Sequence, residues 1–119
     1  MNHVDLIGNV VTDPEIRQLD SGTMLAKFRL AVRRDQKDQN GEYLSDFIQI
    51  TTFRSVEAIQ KYLHKGDKCA VEGRIQSGSY VNSDGVKIYT TEVIADKVEF
   101  IHTKSKGQNQ NNNSESGAY

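Results

Sequence analysis

Two aromatic rings, Phe47 and Phe53, stand six residues apart, with Gln49 and Thr51 at the alternate positions between them. Their segment, Asp46 to Arg54, is rich in β-branched and aromatic residues and has no Gly or Pro, the composition of a strand. Side chains on a strand alternate between faces. Ile48, Ile50 and Thr52 therefore share one face, and Phe47, Gln49, Thr51 and Phe53 share the other. The first set suits a core. The second leaves two readings open. Either the rings are core and the isoleucines are buried against a second subunit, or the rings meet solvent. In the second case their chemistry is stacking on flat ligands, of which unpaired nucleobases are the commonest.

A second group of residues bears on that choice. Thr23 to Arg34 has the cleanest alternation in the chain, with Met24, Ala26, Phe28, Leu30 and Val32 on one face and Leu25, Lys27, Arg29, Ala31 and Arg33 on the other. Such a strand buries one face and wets the other. Lys27, Arg29 and Arg33 are spaced to follow a phosphate backbone; ordinary solubilising charge is the competing reading. Arg54 and Arg74 are further candidates for the backbone, or for salt bridges. Tyr80 is a third candidate ring, or a packing residue.

Charge and composition narrow the chemistry. The formal net charge is −1, and Lys104 and Lys106 in the C-terminal stretch leave the body slightly more acidic. A nucleic-acid site must then be a local basic patch rather than a global field. The one cysteine, Cys69, excludes an internal disulfide and a cysteine-cluster metal site, and on an apolar strand face it reads as core. His3, His64 and His102 lack ligand spacing, and Asp5, Glu72, Glu92 and Asp96 are scattered. No Gly-rich phosphate loop is present. The chain is thus expected to be no enzyme and to carry no metal or cofactor. The start, Met-Asn-His-Val-Asp, shows no signal peptide, and no apolar run reaches membrane-spanning length, so a cytoplasmic protein is expected.

The elements that must position these residues follow from pattern. Val4 to Val11 reads as a first strand, with Gly8 marking a bend or a close backbone approach. Thr12-Asp13-Pro14 and Asp20-Ser21-Gly22 are turns, and the residues between them have no period. Asn40-Gly41 marks a hairpin. Between Ser55 and Lys65, Val56, Ile59 and Leu63 form one face of a short helix, with Ser55 as N-cap and Gly66 as C-terminal stop. Lys68 to Tyr80 and Lys87 to Ile101 are strands joined at Asn82-Ser-Asp-Gly. The mixed periodicity of the last one implies a bulge or burial on both sides. From Thr103 the Gly, Gln, Asn and Ser content reads as a disordered tail, so the domain is placed at 1–102 and the tail at 103–119.

Three strands, one helix and two strands fit an all-β five-stranded Greek-key barrel of the OB type, with the helix between the third and fourth strands. The usual ligand surface of that fold is the face of strands two and three, with the loops beside it. Lys27 to Arg33 and Phe47 to Phe53 fall there.

Over about residues 1–101 the sequence resembles the bacterial and phage single-stranded DNA-binding protein family. The resemblance is carried by Leu6-Ile-Gly-Asn9, Asp13-Pro-Glu-Ile-Arg17, Ala26-Lys-Phe-Arg-Leu-Ala-Val32, Tyr62-Leu-His-Lys-Gly66, Val71-Glu-Gly-Arg-Ile75 and Tyr89-Thr-Thr-Glu-Val93, in this order and spacing. The resemblance implies base stacking on Phe47, Phe53 and Tyr80 and phosphate contacts from Lys27, Arg29, Arg33, Arg54 and Arg74. It places Gln36 where the family has a further aromatic, and Gln76, Gly78 and Ser79 where the hairpin is often basic. It also implies a homo-oligomer, a tetramer in most members, some pairing through the first strand. The end, Glu115-Ser-Gly-Ala-Tyr119, lacks the family's acidic tip, so recruitment of replication and repair proteins is not carried over. The expected function is sequence-independent binding and protection of single-stranded DNA during replication, recombination or repair. The alternative is an OB-fold replication-restart subunit that mainly docks other proteins.

Overall fold

The structure is a computed structural model and describes residues 1–102. The expected tail, 103–119, lies outside the described residues. In chain order the elements are β1 (Val4–Val10), β2 (Glu15–Gln18), β3 (Met24–Lys37), β4 (Tyr43–Thr52), α1 (Val56–Tyr62), β5 (Lys68–Val81) and β6 (Lys87–His102).

Five of the strands close on themselves. β1 pairs with β5 through Val4 to Asn9 and with β3 at Asn9 and Val10; β3 pairs with β4, β4 runs parallel to β6, and β6 pairs with β5. This is the expected OB-fold barrel. Gly8 stands where β1 crosses from one partner to the other. A Cβ there would lie 2.3 Å from the Ala31 carbonyl oxygen, so glycine lets the two backbones meet. The interior is filled by inward residues of every barrel strand, including Val10, Phe28, Leu30, Ile50, Val71 and Val93. Ile59 and Leu63 bring the helix end into the same core. Cys69 belongs to this core at 0% exposure, where burial and the nearby Asp67 push its thiol up to about 12, so it stays protonated and unreactive.

Several local expectations change. β2 is a strand where the sequence showed no period. It is a four-residue edge strand on β3 whose exposed side holds an Arg17–Glu15 ion pair, and only Ile16 turns inward, too few apolar residues for a pattern. Ser55 precedes the helix but does not cap it with its side chain. It takes a left-handed conformation (φ 58, ψ 28), and the chain turns sharply there. Gly66 is not the helix stop. The helix ends at Leu63, whose extended backbone breaks it, and the buried Asp67 carboxylate accepts the His64 N–H at 2.8 Å. Gly66 instead donates its N–H to the Val10 carbonyl at 2.8 Å, tying the helix end to β1. Met24, assigned to the inner face of β3, is 40% exposed because it lies at the strand's open end.

The mixed period of β6 resolves as both alternatives, burial on both sides at Val93, Ile94 and Ala95 and a bulge just after them. Glu72 pairs with Lys97 but Gly73 pairs with Ala95, so Asp96 is the extra residue. Before it Val93 and Ala95 face inward; after it Val98 and Phe100 do.

Candidate nucleic-acid interface

Phe47, the first of the sequence-predicted rings, sits in the outer face of the barrel at 62% exposure. Its inward neighbours Ile48 and Ile50 pack in or against the core. Its cross-strand partner is Ala31, whose small side chain leaves the ring uncovered. Phe53 lies one residue beyond β4 at 46% exposure. The bend that presents it is held by the buried Thr52, whose hydroxyl accepts the Arg54 N–H at 3.1 Å and lies 3.2 Å from the Ala95 carbonyl. Tyr80 is near the tip of the β5–β6 arm at 56% exposure. Core burial, the competing reading for the two phenylalanines, is therefore excluded for this protomer.

The cations follow the same face. Lys27 pairs across the ladder with Thr51, Arg29 with Gln49 and Arg33 with Ser45. Lys27 is half-buried and Arg29 and Arg33 are exposed. Lys27, Arg29 and Gln49 line a groove of about 800 Å³, whose walls are the β1–β2 turn (Thr12, Asp13), β2 and Thr90 to Glu92 of β6. At its β6 wall Thr51 donates its hydroxyl to Glu92 at 2.6 Å, linking β4 to β6 across the outer face. Along β5 the outward positions run Arg74, Gln76, Gly78 and Tyr80, opposite Ile94, Glu92, Thr90 and Ile88. The outer sheet face is thus continuous from Phe47 through the groove to Tyr80.

Arg54 and Arg74 are both exposed. Arg74 donates to the Gln76 side chain at 2.8 Å. The ion pairs among the described residues are His3–Asp5, Arg17–Glu15, Arg34–Asp46 and a long His64–Asp67 contact. None engages Lys27, Arg29, Arg33, Arg54 or Arg74, so no salt bridge holds the last two among the described residues. Arg34 is different: its guanidinium grips Asp46 through Nε at 3.0 Å and Nη2 at 2.6 Å, which neutralises it on the opposite side of β4 from Phe47.

The groove unites Lys27 and Arg29 but not the other three cations. Arg33 borders a smaller depression with Ile7, Asn9 and Lys68 on the β1 side, and Arg54 follows Phe53 at the bend. Gln36 is exposed near the tip of β3. Sequence reasoning overlooked two features. Asp13, Glu15 and Glu92 line the groove and limit its positive charge. Tyr43, 45% exposed, has the strand parity of Phe47, a signal already present in the alternation of β4. No group of three or more His, Cys, Asp or Glu residues suited to a metal occurs among the described residues. No helix there is long and apolar enough to cross a membrane.

Comparison with known proteins agrees with this geometry. The single-strand binding protein family matches residues 1–101. Single-stranded DNA-binding protein 1 of Staphylococcus aureus (strain MSSA476) is 40% identical over 111 residues, which span 92% of this chain and 71% of that one. Single-stranded DNA-binding protein 3 of Listeria innocua is 40% identical over 108 residues, spanning 90% and 68%. A solved Plasmodium falciparum SSB complex with ssDNA superimposes with a TM-score of 0.75 at 28% identity, over 85% of this chain and 95% of that one. With a closed barrel, an uncovered row of rings and a family match over nearly all the described residues, the chain belongs to the single-strand binding protein family.

Proposed function

We propose that the chain coats single-stranded DNA without regard to sequence. Bases stack on Phe47, Phe53 and Tyr80, and Lys27, Arg29, Arg33, Arg54 and Arg74 hold the backbone. One observation carries the reading: all three rings are uncovered, at 62%, 46% and 56% exposure, and Lys27, Arg29, Arg33, Arg54 and Arg74 have no carboxylate partner among the described residues. Folding gains nothing from rings left in water, whereas every unpaired base offers a π-face to them. Paired bases are stacked on one another and cannot reach the rings, so duplex is excluded. Cations on the backbone release counterions, which makes binding salt-dependent. The activity is binding alone; no bond is made or broken. The named relatives and the Plasmodium falciparum complex with ssDNA support the same ligand.

In this proposal residues 1–102 are the binding domain and 103–119 a polar tail. The protomer assembles into a homo-oligomer, a tetramer, partly through β1. Ile7 supports that surface, since it is 56% exposed on the outer side of β1 between Asp5 and Asn9. The protein acts in the cytoplasm, in replication, recombination or repair.

The test is anisotropy of labelled oligo-dT titrated with the parent chain and with Phe53→Ala, beside light-scattering mass with and without a long oligo-dT. The expected result is tight single-strand binding, no duplex binding, and a loss of about 1–3 kcal/mol in the variant, the general range for a stacked base in proteins of this class. A Phe53→Ala chain that unfolds without selective loss of binding returns the ring to a packing role. Parent protein that ignores oligo-dT refutes the reading outright.

A further inference from the structure

The outer face of β4 carries a second ring besides Phe47, one not among the three already assigned. Tyr43 opens the strand, and positions 43, 45, 47 and 49 point to the same side. Four residues of strand separate Tyr43 from Phe47 by about 13 Å. That is too far for both to touch one base.

Two cations hold this ring. The Arg33 guanidinium carbon lies 4.2 Å from its centroid, and the Lys37 ammonium lies 5.0 Å from it. Both are within the roughly 6 Å over which a ring face attracts a cation. The ladder explains the grouping. Arg33 stands opposite Ser45, whose small side chain lets the guanidinium reach diagonally to Tyr43, while Lys37 is the direct partner of Tyr43. The irregularity between Arg33 and Lys37 brings both to the same ring. Neither cation has a carboxylate partner among the described residues. Two like charges gathered against one exposed ring repel each other, and an anion placed between them relieves that repulsion. An exposed π-face and an uncompensated double charge are together what one nucleotide requires.

We infer that Tyr43, Arg33 and Lys37 form a further contact for single-stranded nucleic acid, in which the ring stacks a base and the two cations hold the adjoining phosphates. This rests on the single-strand reading above. It extends the path of the strand beyond Phe47, out along the β3–β4 arm.

The test compares Tyr43→Ala, Tyr43→Phe and the parent on oligo-dT and on an oligonucleotide of equal length with abasic sites, with thermal melting of each variant. The expected result is about a fivefold loss of oligo-dT affinity for Tyr43→Ala, the low end of stacking because Arg33 already occupies part of the ring. Tyr43→Phe should bind within twofold of the parent. On the abasic oligonucleotide Tyr43→Ala should lose little. A Tyr43→Ala chain that binds oligo-dT like the parent overturns the inference and leaves the stacking on Phe47 and Phe53 standing. An equal loss on both oligonucleotides also overturns it, since the ring then only positions cations or the arm. A parent that fails to bind oligo-dT overturns this inference and the function together.

Discussion

Two antiparallel arms leave the barrel, β3–β4 and β5–β6, and their tips are built alike. In the first, the Asp38 carboxylate accepts the N–H groups of Asn40 and Glu42 at 2.8 and 3.0 Å, and Gly41 takes a positive φ of 81. In the second, the Asn82 side-chain oxygen accepts those of Asp84 and Val86 at 2.9 and 3.0 Å, and Gly85 takes a φ of 78. The stems diverge. The first is irregular and charged, with Arg33 and Lys37 on a ring and Arg34 paired to Asp46. The second keeps one register from Gly73 to Val81, and between its root and its rings it carries Ser77, Gly78, Ser79, Thr90 and Thr91. One turn chemistry therefore serves two kinds of arm, and stem composition decides what each contributes. The first arm sets two cations on one ring, whereas the second sets a single one, Lys87 at 5.4 Å from the Tyr89 centroid, and otherwise offers small polar side chains and rings.

The sharpest way to break this comparison is at the root of the second arm. A Cβ on Gly73 would stand 2.1 Å from the Ile94 carbonyl oxygen and 2.9 Å from the Ala95 Cα, backbone atoms that cannot rotate away. Gly73→Val should cost about 3 kcal/mol, the upper end for overpacking. That corresponds to a fall of roughly 10–20 °C in Tm. Gly78→Ala, farther out on the same arm, meets only the Thr90 hydroxyl at 3.2 Å. A rotation of that side chain relieves the contact, so its melting temperature should stay close to that of the parent. Equal shifts in the two melts would show that the arm is not anchored at Gly73.

The next effect separates rings from charge. Tyr80→Ala should weaken oligo-dT binding by about 1–3 kcal/mol, the class range for stacking, while the slope of log affinity against log salt stays unchanged. Replacing Lys27, Arg29 or Arg33 by Gln should lower that slope by about 0.7 for each phosphate left without its cation. The slope of the parent itself should be shallow for a protein of this kind, because Asp13, Glu15 and Glu92 share the groove with Lys27 and Arg29. A changed slope in Tyr80→Ala would mean that the second arm also works through charge.

How much of this was legible beforehand differs by element. The barrel was readable because much of its strand length has one wet and one dry face, and alternation reports that directly, most clearly from Ala26 to Arg33; it reports less where both sides are buried, as at Leu25, at 50–52 and at 93–95. Phe47 and Phe53 were readable as odd residues on a polar face, although the face itself could not say whether a second subunit covers it. β2 was not readable, since one inward residue, Ile16, makes no period. Ser55 has the residue type of a cap but not the backbone of one, and its left-handed turn answers to where Phe53 and Ile59 must go, a tertiary demand. The bulge at Asp96 could be sensed only as a mixed period. Tyr43 was visible in the alternation, but its two cations come from across the ladder, where an irregular register hid the spacing.

The smallest expected effect lies in the first arm and concerns its one neutralised cation. The hydrogen bond from Arg34 and the attraction of its guanidinium hold the Asp46 carboxyl below its ordinary value of 3.8, against a weaker opposing effect of burial. A carboxyl depressed in the folded state adds stability above its unfolded pKa and loses it as pH falls through the folded one. The pair should therefore persist at neutral pH and dissolve only below about pH 3.8. Arg34 is raised in turn above its ordinary value by the same hydrogen bond and charge, so its own loss falls beyond any working alkaline range. Both groups are solvent-exposed, and salt screening keeps the contribution to stability small. The readout is the carboxyl carbon shift of Asp46 against pH in the parent and in Arg34→Gln. The midpoint should move up toward the ordinary value in the variant. A midpoint for Asp46 that ignores the removal of Arg34 would mean that the two do not pair in solution. Arg34 would then be a free cation on the other side of the ladder from Phe47, and the first arm would carry one more unpaired charge.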